Sequence, residues 1–324
     1  MSIYQELLKS GVHPIVMKGL ICRQMYGDYC DHRASGDEDI LVIKSEFWKI
    51  QTVLNKLGFI SEYTELTEEK IEEIQEISFY NANQGLHLEV HINPIGCESA
   101  FHKKMNDYFR NVFSETVTLN VNDISVITLN ATDHFLLLVL HAFKHFADTG
   151  LGIRQLLDIL VFEQKYFSDI NWDYIKCSLQ EVHAECFFGD IVEIGNHYLG
   201  FALPTLTKEG YFDELLADLL DSGVFGKATK EHEVAGSLTR ASINNASRRL
   251  QRLTAIINTA FPKKQWMLKV YPELHKYPWL LPICWVKRWC RFFAHNKANG
   301  GNLAVESMKI SKRRIELLKK YDIL

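Results

Sequence analysis

The sequence predicts an α+β protein in which an α/β portion precedes a mostly helical one, and three observations predict it. Short runs of alternating or β-branched residues crowd the first 129 residues, apolar residues recur at helical spacing from Asn130 onward, and 324 residues suffice for about two domains. The boundary is placed near residue 129, giving an α/β domain over 1–129 and a helical domain over 130–324 whose last third is basic.

Taken in order, residues 2–10 read as a short helix closed by Gly11, and HPIVMK at 13–18 reads as a strand that stops at Gly19. A helix over 20–26 and the polar loop GDYCDHRASG lead to the strand DEDILVI at 37–43. Ser45 then caps a helix to about Leu57, ended by Gly58. FISEY and ISFY supply more strand before the strictly alternating LHLEVHI at 86–92, and VTLNV with ISVIT, joined through Asn122-Asp123, reads as a hairpin. Helices are expected over 131–146, 151–166, 171–199, 208–221 and 240–257, with about three more to the end and a loop over 222–238.

Composition excludes several classes. With 47% hydrophobic, 12% aromatic and 23% charged residues, the chain has the makeup of a folded globular protein rather than a disordered or collagen-like one. Its longest uninterrupted apolar run, Phe135 to Leu140, is far below the roughly 18 residues that a membrane span needs. No basic-then-apolar leader opens the sequence, so a cytoplasmic protein is expected. The seven cysteines never form a C-x-x-C pair and signal neither a disulfide framework nor a cysteine zinc site. The net charge of −4 hides a division: residues 1–226 carry 16 basic against 34 acidic side chains, and 227–324 carry 20 against 6. Such a basic third attracts a polyanion or an acidic membrane surface, or else docks against acidic groups of its own chain.

Chemistry concentrates in two strands. In GDEDILV at 36–42, strand alternation puts Asp37 and Asp39 on one face, about 7 Å apart at their Cα atoms, and Glu38 on the other. Two like charges so near call for a cation, and Mg²⁺ uses one or two carboxylates while keeping water or phosphate in its other positions. In LHLEVHI the same alternation puts His87, Glu89 and His91 on one face and Leu88, Val90 and Ile92 on the other. If the two strands are neighbours, Glu89 becomes a third carboxylate for the same cations, able also to take a proton from an attacking hydroxyl. Alone, the first motif is equally a solvated strand start and the second a sheet with one wet face.

VMKGL at 16–20 offers the Lys18 ammonium and, at Gly19, the N–H groups of a helix start, which together suit a triphosphate. Arg33, Ser35 and Gly36 add a phosphate clamp and close backbone approach, unless Arg33 is a surface cation. Further on, His141, Lys144 and His145 share one helical turn; the two histidines have zinc spacing but lack the neighbouring Glu of a metalloprotease motif. Their other readings are helix packing and, with His91, the lining of a nucleotide or acceptor cleft. Asp158 orients one of these histidines, or caps its helix or pairs with Arg154 one turn away.

The ordered set K-G at 18–19, Y-G-D…R-x-S-G-D-x-D-I-L-V at 26–42, E-V-H at 89–91 and L-H-A-F-K-H with a later L-L-D at 140–158 resembles the bacterial family of uncharacterised nucleotidyltransferases, within the superfamily that shares the DNA polymerase β-like fold. The resemblance covers roughly residues 12–160. It implies a minimal catalytic α/β domain followed by a helical portion, with two Mg²⁺ ions held by Asp37, Asp39 and Glu89. It implies too a bound nucleoside triphosphate whose nucleoside monophosphate passes to an acceptor hydroxyl, releasing pyrophosphate. A small molecule or a protein is the expected acceptor, ahead of nucleic acid. The chain departs from the superfamily in three places: Lys18-Gly19 stands for a glycine-serine turn, Glu38 for an apolar residue between the aspartates, and Glu89 for the commoner Asp. The alternative from another class is a non-catalytic nucleotide- or polyanion-binding protein that retains the fold, and release of pyrophosphate separates the two.

Near the end, ICWVKRWCRFFA at 283–294, laid on a helix, puts Lys287, Arg288 and Arg291 on one arc and Trp285, Trp289, Phe292 and Phe293 on the other. Packing of the aromatic arc within the helical domain is expected ahead of contact with an anionic membrane or stacking on nucleic acid. KISKRRIELLKK at 309–320, with six basic residues against one acidic, reads as a solvated terminal helix or a polyanion contact.

Overall fold

The computed structural model describes residues 3–63, 66–72, 74–97, 100–121, 123–148, 150–205, 210–223, 261–262, 264–298 and 303–323. The helix expected over 240–257 and nearly all of the loop expected over 222–238 lie outside them. The strands are β1 (Ile15–Met17), β2 (Glu38–Leu41), β3 (Ile60–Ser61), β4 (Glu76–Asn81), β5 (Leu86–His91), β6 (Thr116–Val121) and β7 (Ile124–Leu129). They form one sheet in the order β3-β4-β5-β2-β1-β7-β6. Among and after them run α1 (Ile3–Lys9), α2 (Gly19–Met25), α3 (Phe47–Lys56), α4 (Glu68–Glu72), α5 (Ala100–Asn106), α6 (Ala131–Asp148), α7 (Ile153–Tyr166), α8 (Trp172–Glu181), α9 (Glu185–Tyr198) and α10 (Phe212–Ser222). Later described helices span Lys264–Val270, Leu281–Ala298 and Leu303–Lys320. The protein is α+β.

Sheet topology follows from which side chains each strand presents. β2 lies antiparallel to β1 and parallel to β5, and β1 is parallel to β7. Parallel neighbours need a crossover, which α3 provides between β2 and the β3–β4–β5 meander. Alternation then gives the sheet two unlike faces. On one, Val16, Ile40, Ile77, Phe79, Leu88 and Val90 bury against Leu7 of α1 and Phe47, Ile50 and Leu54 of α3. Removing that apolar area from water is what fixes the register, since a one-residue slip would turn every one of these side chains to the other face. The opposite face sets Asp39, Glu89 and His91 beside the buried Ile15, Met17 and Leu41, and α6 reaches it where His134 and His141 meet Lys18.

Two compact units make up the chain, residues 1–144 with 153–213 and residues 145–152 with 214–324. In the first, Phe135 of α6 meets Trp172 at 5.2 Å, Phe188 at 5.5 Å and Phe162 at 6.1 Å between ring centroids, so aromatic burial joins α6 to α9. In the second, three acids of α10 spaced along one helical face receive the terminal helix: Lys320 reaches Glu214 at 2.7 Å, Arg314 bonds Asp218 and the Phe146 carbonyl, and Arg313 bonds Asp221. Arg314 is buried, and at least three of the six cations in that helix have acidic partners. Trp285 donates to the Pro262 carbonyl at 3.1 Å and, with Trp289, packs on Phe261; Ile283 and Val286 are exposed. The side chains of Phe292 and Phe293 lie outside those described.

Two local expectations are corrected. Ser45 does not cap a helix: it lies within the 3-10 turn Lys44–Glu46, and α3 starts at Phe47 with no side-chain cap bond. The single helix expected over 171–199 is two, α8 and α9, because His183 takes a left-handed φ of 57° and Ala184 N–H returns to the Leu179 carbonyl at 2.8 Å. Glycine usually marks such an ending, and its absence hid the break. All seven cysteines are free.

Candidate active site

Register builds the site. Parallel pairing sets Asp39 opposite Glu89 and Leu41 opposite His91, and antiparallel pairing sets Ser78 opposite Glu89 and Glu76 opposite His91. Asp37, one turn of the pleat before Asp39, has the same parity. The polar face therefore gathers Asp37, Asp39, Glu76, His87, Glu89 and His91. Within it two groups each bring three ligand atoms to within 4.8 Å of one another: Asp37, His87 and Glu89 in partly exposed positions, and Asp39, Glu89 and His91 deeper. Glu89 belongs to both. Such clustering fits a divalent cation, and His91 turns its Nε2 to these acids, 2.8 Å from Asp39, 3.5 Å from Glu76 and 3.8 Å from Glu89.

Lys18 enters this face from the end of β1. Its ammonium lies 2.9 Å from Asp39 Oδ1 and 3.3 Å from His141 Nε2, and Asp39 Oδ1 also receives His91 Nε2 at 2.8 Å. Burial alone would raise the Asp39 carboxyl, but Lys18 and His91 outweigh it and hold it below the usual carboxylate range. Burial likewise works against the Lys18 ammonium, and Asp39, Glu76 and Glu89 overcome it, so Lys18 stays charged. Glu89 goes the other way. Burial, then the nearby Glu76, Asp39 and Asp37 carboxylates, push it up to about 8, the response of an acid crowded by acids.

The backbone that aims Lys18 is strained and braced. Lys18 has a φ of 39°, in the left-handed region that non-glycine residues avoid, and its N–H donates to His134 Nε2 at 3.2 Å. Burial and then the adjacent ammonium lower His134 to about 3, keeping the ring neutral and its Nε2 free to accept. At Gly19 a Cβ would stand 3.2 Å from the Asp37 carbonyl oxygen and closer still to the Glu38 carboxylate, which accounts for glycine there. Glu38, on the face away from the acids, pairs with Arg23 at 3.4 Å.

The remaining predicted residues fall around this centre. Arg33 is buried and gives Asp158 two bonds, Nε to Oδ1 at 2.8 Å and Nη2 to Oδ2 at 2.7 Å, with Nη1 to the Gly19 carbonyl at 3.2 Å. Its charge is thus held by a carboxylate, and Tyr26 adds a bond to the same Asp158 at 2.9 Å. Arg154, one turn from Asp158, bonds instead to the Ala34 carbonyl at 3.1 Å. Ser35 donates to the Asp37 carbonyl at 2.9 Å and shapes the turn through exposed Gly36 into β2. Lys144 bonds Gln75 and lines an open cleft of about 430 Å³ with Glu62, Tyr63, Gln75, Glu76 and Ser78. A neighbouring cleft of about 580 Å³ reaches Tyr80 and His87. His141 faces Lys18, whereas His145, in the last turn of α6, lies in the second unit; neither joins a group of three metal ligands among the described residues.

Sequence reasoning missed His134, Glu76 and Tyr26. His134 precedes His141 by seven residues, two turns on the same helical face, and the alternation of EISFYN puts Glu76 on the face of Ser78; either spacing was a usable signal. The model of a family described as uncharacterised nucleotidyltransferase matches residues 2–200 of the chain. No curated protein and no solved structure matches it.

Proposed function

Because the chain belongs to the uncharacterised nucleotidyltransferase family, we propose that it transfers a nucleoside monophosphate from a nucleoside triphosphate to an acceptor hydroxyl. The observation that carries this reading is the β2–β5 register, which sets Asp39 beside Glu89 on the face that also bears Asp37. In the reaction the acceptor oxygen bonds to the α-phosphorus, the bond from that phosphorus to the bridging oxygen breaks, and pyrophosphate leaves. Glu89, in its ionised form, takes the hydroxyl proton. A divalent cation such as Mg²⁺, drawn to this face by the carboxylates of Asp37, Asp39 and Glu89, would supply charge neutralisation on the attacking and leaving oxygens. Lys18 and Arg33 act as positioning residues, Lys18 on Asp39 and Arg33 through Asp158, while the Ser35-Gly36 turn beside Asp37 meets the phosphates.

We take residues 1–129 as the catalytic α/β portion and 130–324 as the helical one, with His141 and Lys144 toward the cleft. A small molecule or a protein side chain is the favoured acceptor. What supports it is the size of the two clefts, which is that of small-ligand sites, and the internal pairing of Arg313, Arg314 and Lys320, which leaves less basic surface for a polyanion. No helix among the described residues is long and apolar enough to cross a membrane, and we place the protein in the cytoplasm. The second reading, a nucleotide-binding protein without turnover, draws on the Lys18 ammonium seated against Asp39. Incubation with each α-³²P-labelled triphosphate, a divalent cation and cell extract separates the two. Transfer of label with release of pyrophosphate is expected; tight nucleotide binding with no pyrophosphate across a broad acceptor panel establishes the second reading.

A further inference from the structure

We propose that this centre takes one exchangeable divalent cation rather than two, at the outer group Asp37–His87–Glu89 with His87 as a nitrogen ligand, and that the Lys18 ammonium is the resident cation of the inner position beside Asp39. The inference rests on the nucleotidyltransferase reading for the purpose of the ion, and on the geometry of the two groups for its number and ligands.

The two positions differ in what already occupies them. At the inner one, Asp39 Oδ1 accepts from both Lys18 and His91, at 2.9 and 2.8 Å. The Lys18 backbone is anchored by its N–H bond to His134 at a φ of 39°, which fixes the point from which the side chain reaches Asp39. Its ammonium is also 3.3 Å from His141 Nε2, in a position where the side chain keeps only 10% of its exposure. A divalent ion entering there would meet a fixed positive charge at contact distance in a place shielded from water, where such repulsion is least screened. At the outer position Glu89 is shared with the inner group, with His91 Nε2 at 3.8 Å, and the other two ligands are unengaged. Neither the Asp37 carboxylate nor the His87 ring makes a hydrogen bond or ion pair with a described residue, both are partly exposed, and both lie within 4.8 Å of Glu89.

Ligand chemistry then selects the ion. Three carboxylates and water suit Mg²⁺, but one imidazole among two carboxylates favours ions that accept nitrogen, in the rising order Mn²⁺, Co²⁺, Zn²⁺. Such a site holds Mn²⁺ more tightly than Mg²⁺. One divalent ion and one ammonium also bring three positive charges to the four carboxylates of this face, Asp37, Asp39, Glu76 and Glu89, and leave the remainder of the ion's coordination for phosphate.

Mn²⁺ itself is the probe. The full-length protein, stripped with chelator, is titrated with Mn²⁺ alone while electron paramagnetic resonance counts free ion and pulsed measurement detects nitrogen coupled to bound ion. Expected are one bound Mn²⁺ per chain, an imidazole nitrogen coupling, and displacement by Mg²⁺ only in large excess. His87→Ala should remove the coupling and weaken Mn²⁺ by about tenfold or more, the least that loss of a ligand costs when outer partners already cost that much. Lys18→Met should admit a second Mn²⁺, seen as a count of two and as coupling between the ions; should that variant fail to fold, the count in the wild-type protein decides. Two ions per wild-type chain, no bound ion, or a bound ion without nitrogen coupling overturns the proposal. Pyrophosphate release is followed in parallel, so the two failures are distinct: two nitrogen-free ions with turnover overturn this inference alone, and one nitrogen-coupled ion without turnover overturns the transferase reading alone.

Discussion

Lys18–Asp39 and Arg33–Asp158 are both buried basic–acidic pairs of the first unit, and they differ in what is left over around them. At the α2–α7 seam the planar Arg33 fork matches both oxygens of Asp158, its third contact goes to the Gly19 carbonyl, and Tyr26 completes the carboxylate. Charge and hydrogen bonds balance. On the sheet face one ammonium meets Asp39 with Glu76, Glu89 and Asp37 close by, and Glu89 responds by holding its proton to about 8. A saturated pair braces a fold, whereas a pair set among surplus charge leaves work for a ligand.

The largest expected effect tests the surplus side. Asp37→Asn or Glu89→Gln should lower transfer by about 10³-fold or more, yet leave the thermal midpoint unchanged or raised, since the first removes a charge that crowds its neighbours and the second replaces an acid that those neighbours already hold protonated. Activity assayed beside thermal unfolding checks this, and a midpoint that falls while transfer survives would make these acids structural. Asp39→Asn is the informative exception: it strands the buried Lys18 ammonium and should cost stability as well as activity.

The balanced side comes next. Arg33→Met leaves Asp158 buried and uncompensated, for an expected loss of about 3–5 kcal/mol in urea unfolding, and adding Asp158→Leu should recover much of it. Weaker triphosphate binding at unchanged stability would instead return Arg33 to the phosphates and erase the contrast.

Glu163 of α7 extends the comparison to an acid without a hydrogen-bond partner among the described residues: it is buried, and burial raises it from 4.5 to about 8. Its folded pKa lies above its unfolded value, so the stability it contributes is complete below about pH 4.5 and is lost as pH rises toward 8. Glu163→Gln should flatten that decline and gain a few kcal/mol at pH 8.5 while changing little at pH 4, as read from denaturant unfolding at the two values. The smallest effect belongs to the exposed end of the α10 ladder. Lys320→Ala, which breaks the surface pair with Glu214, should cost under about 1 kcal/mol, against several for Arg314→Met at the buried rung.

What the residues disclosed and what they hid follow one physical division. Alternation is a local property, so the common face of Asp37 and Asp39, the polar side of His87, Glu89 and His91, and the long periodic helices were all legible. Pairing is not local. That β2 lies beside β5, that Lys18 crosses to Asp39, and that Arg313 and Arg314 find Asp221 and Asp218 depend on contacts between residues far apart in the chain, and no spacing in the sequence announces them. For the same reason Arg33 read as a phosphate clamp or a surface cation, when its partner stands 125 residues away.

Helix α6 carries a consequence for anyone dividing this gene. Residues 131–144 of that helix belong to the first unit and 145–148 to the second, so no loop separates the two along this stretch of chain. An expression fragment cut after residue 129 keeps Asp37, Asp39 and Glu89 but discards His134, His141 and Asp158, the groups that hold Lys18 and Arg33 in place. The three acids would remain in the clone while the two cations that order them lost their anchors, and an inactive fragment would say nothing about the acids. A fragment that runs through Asp213 retains both.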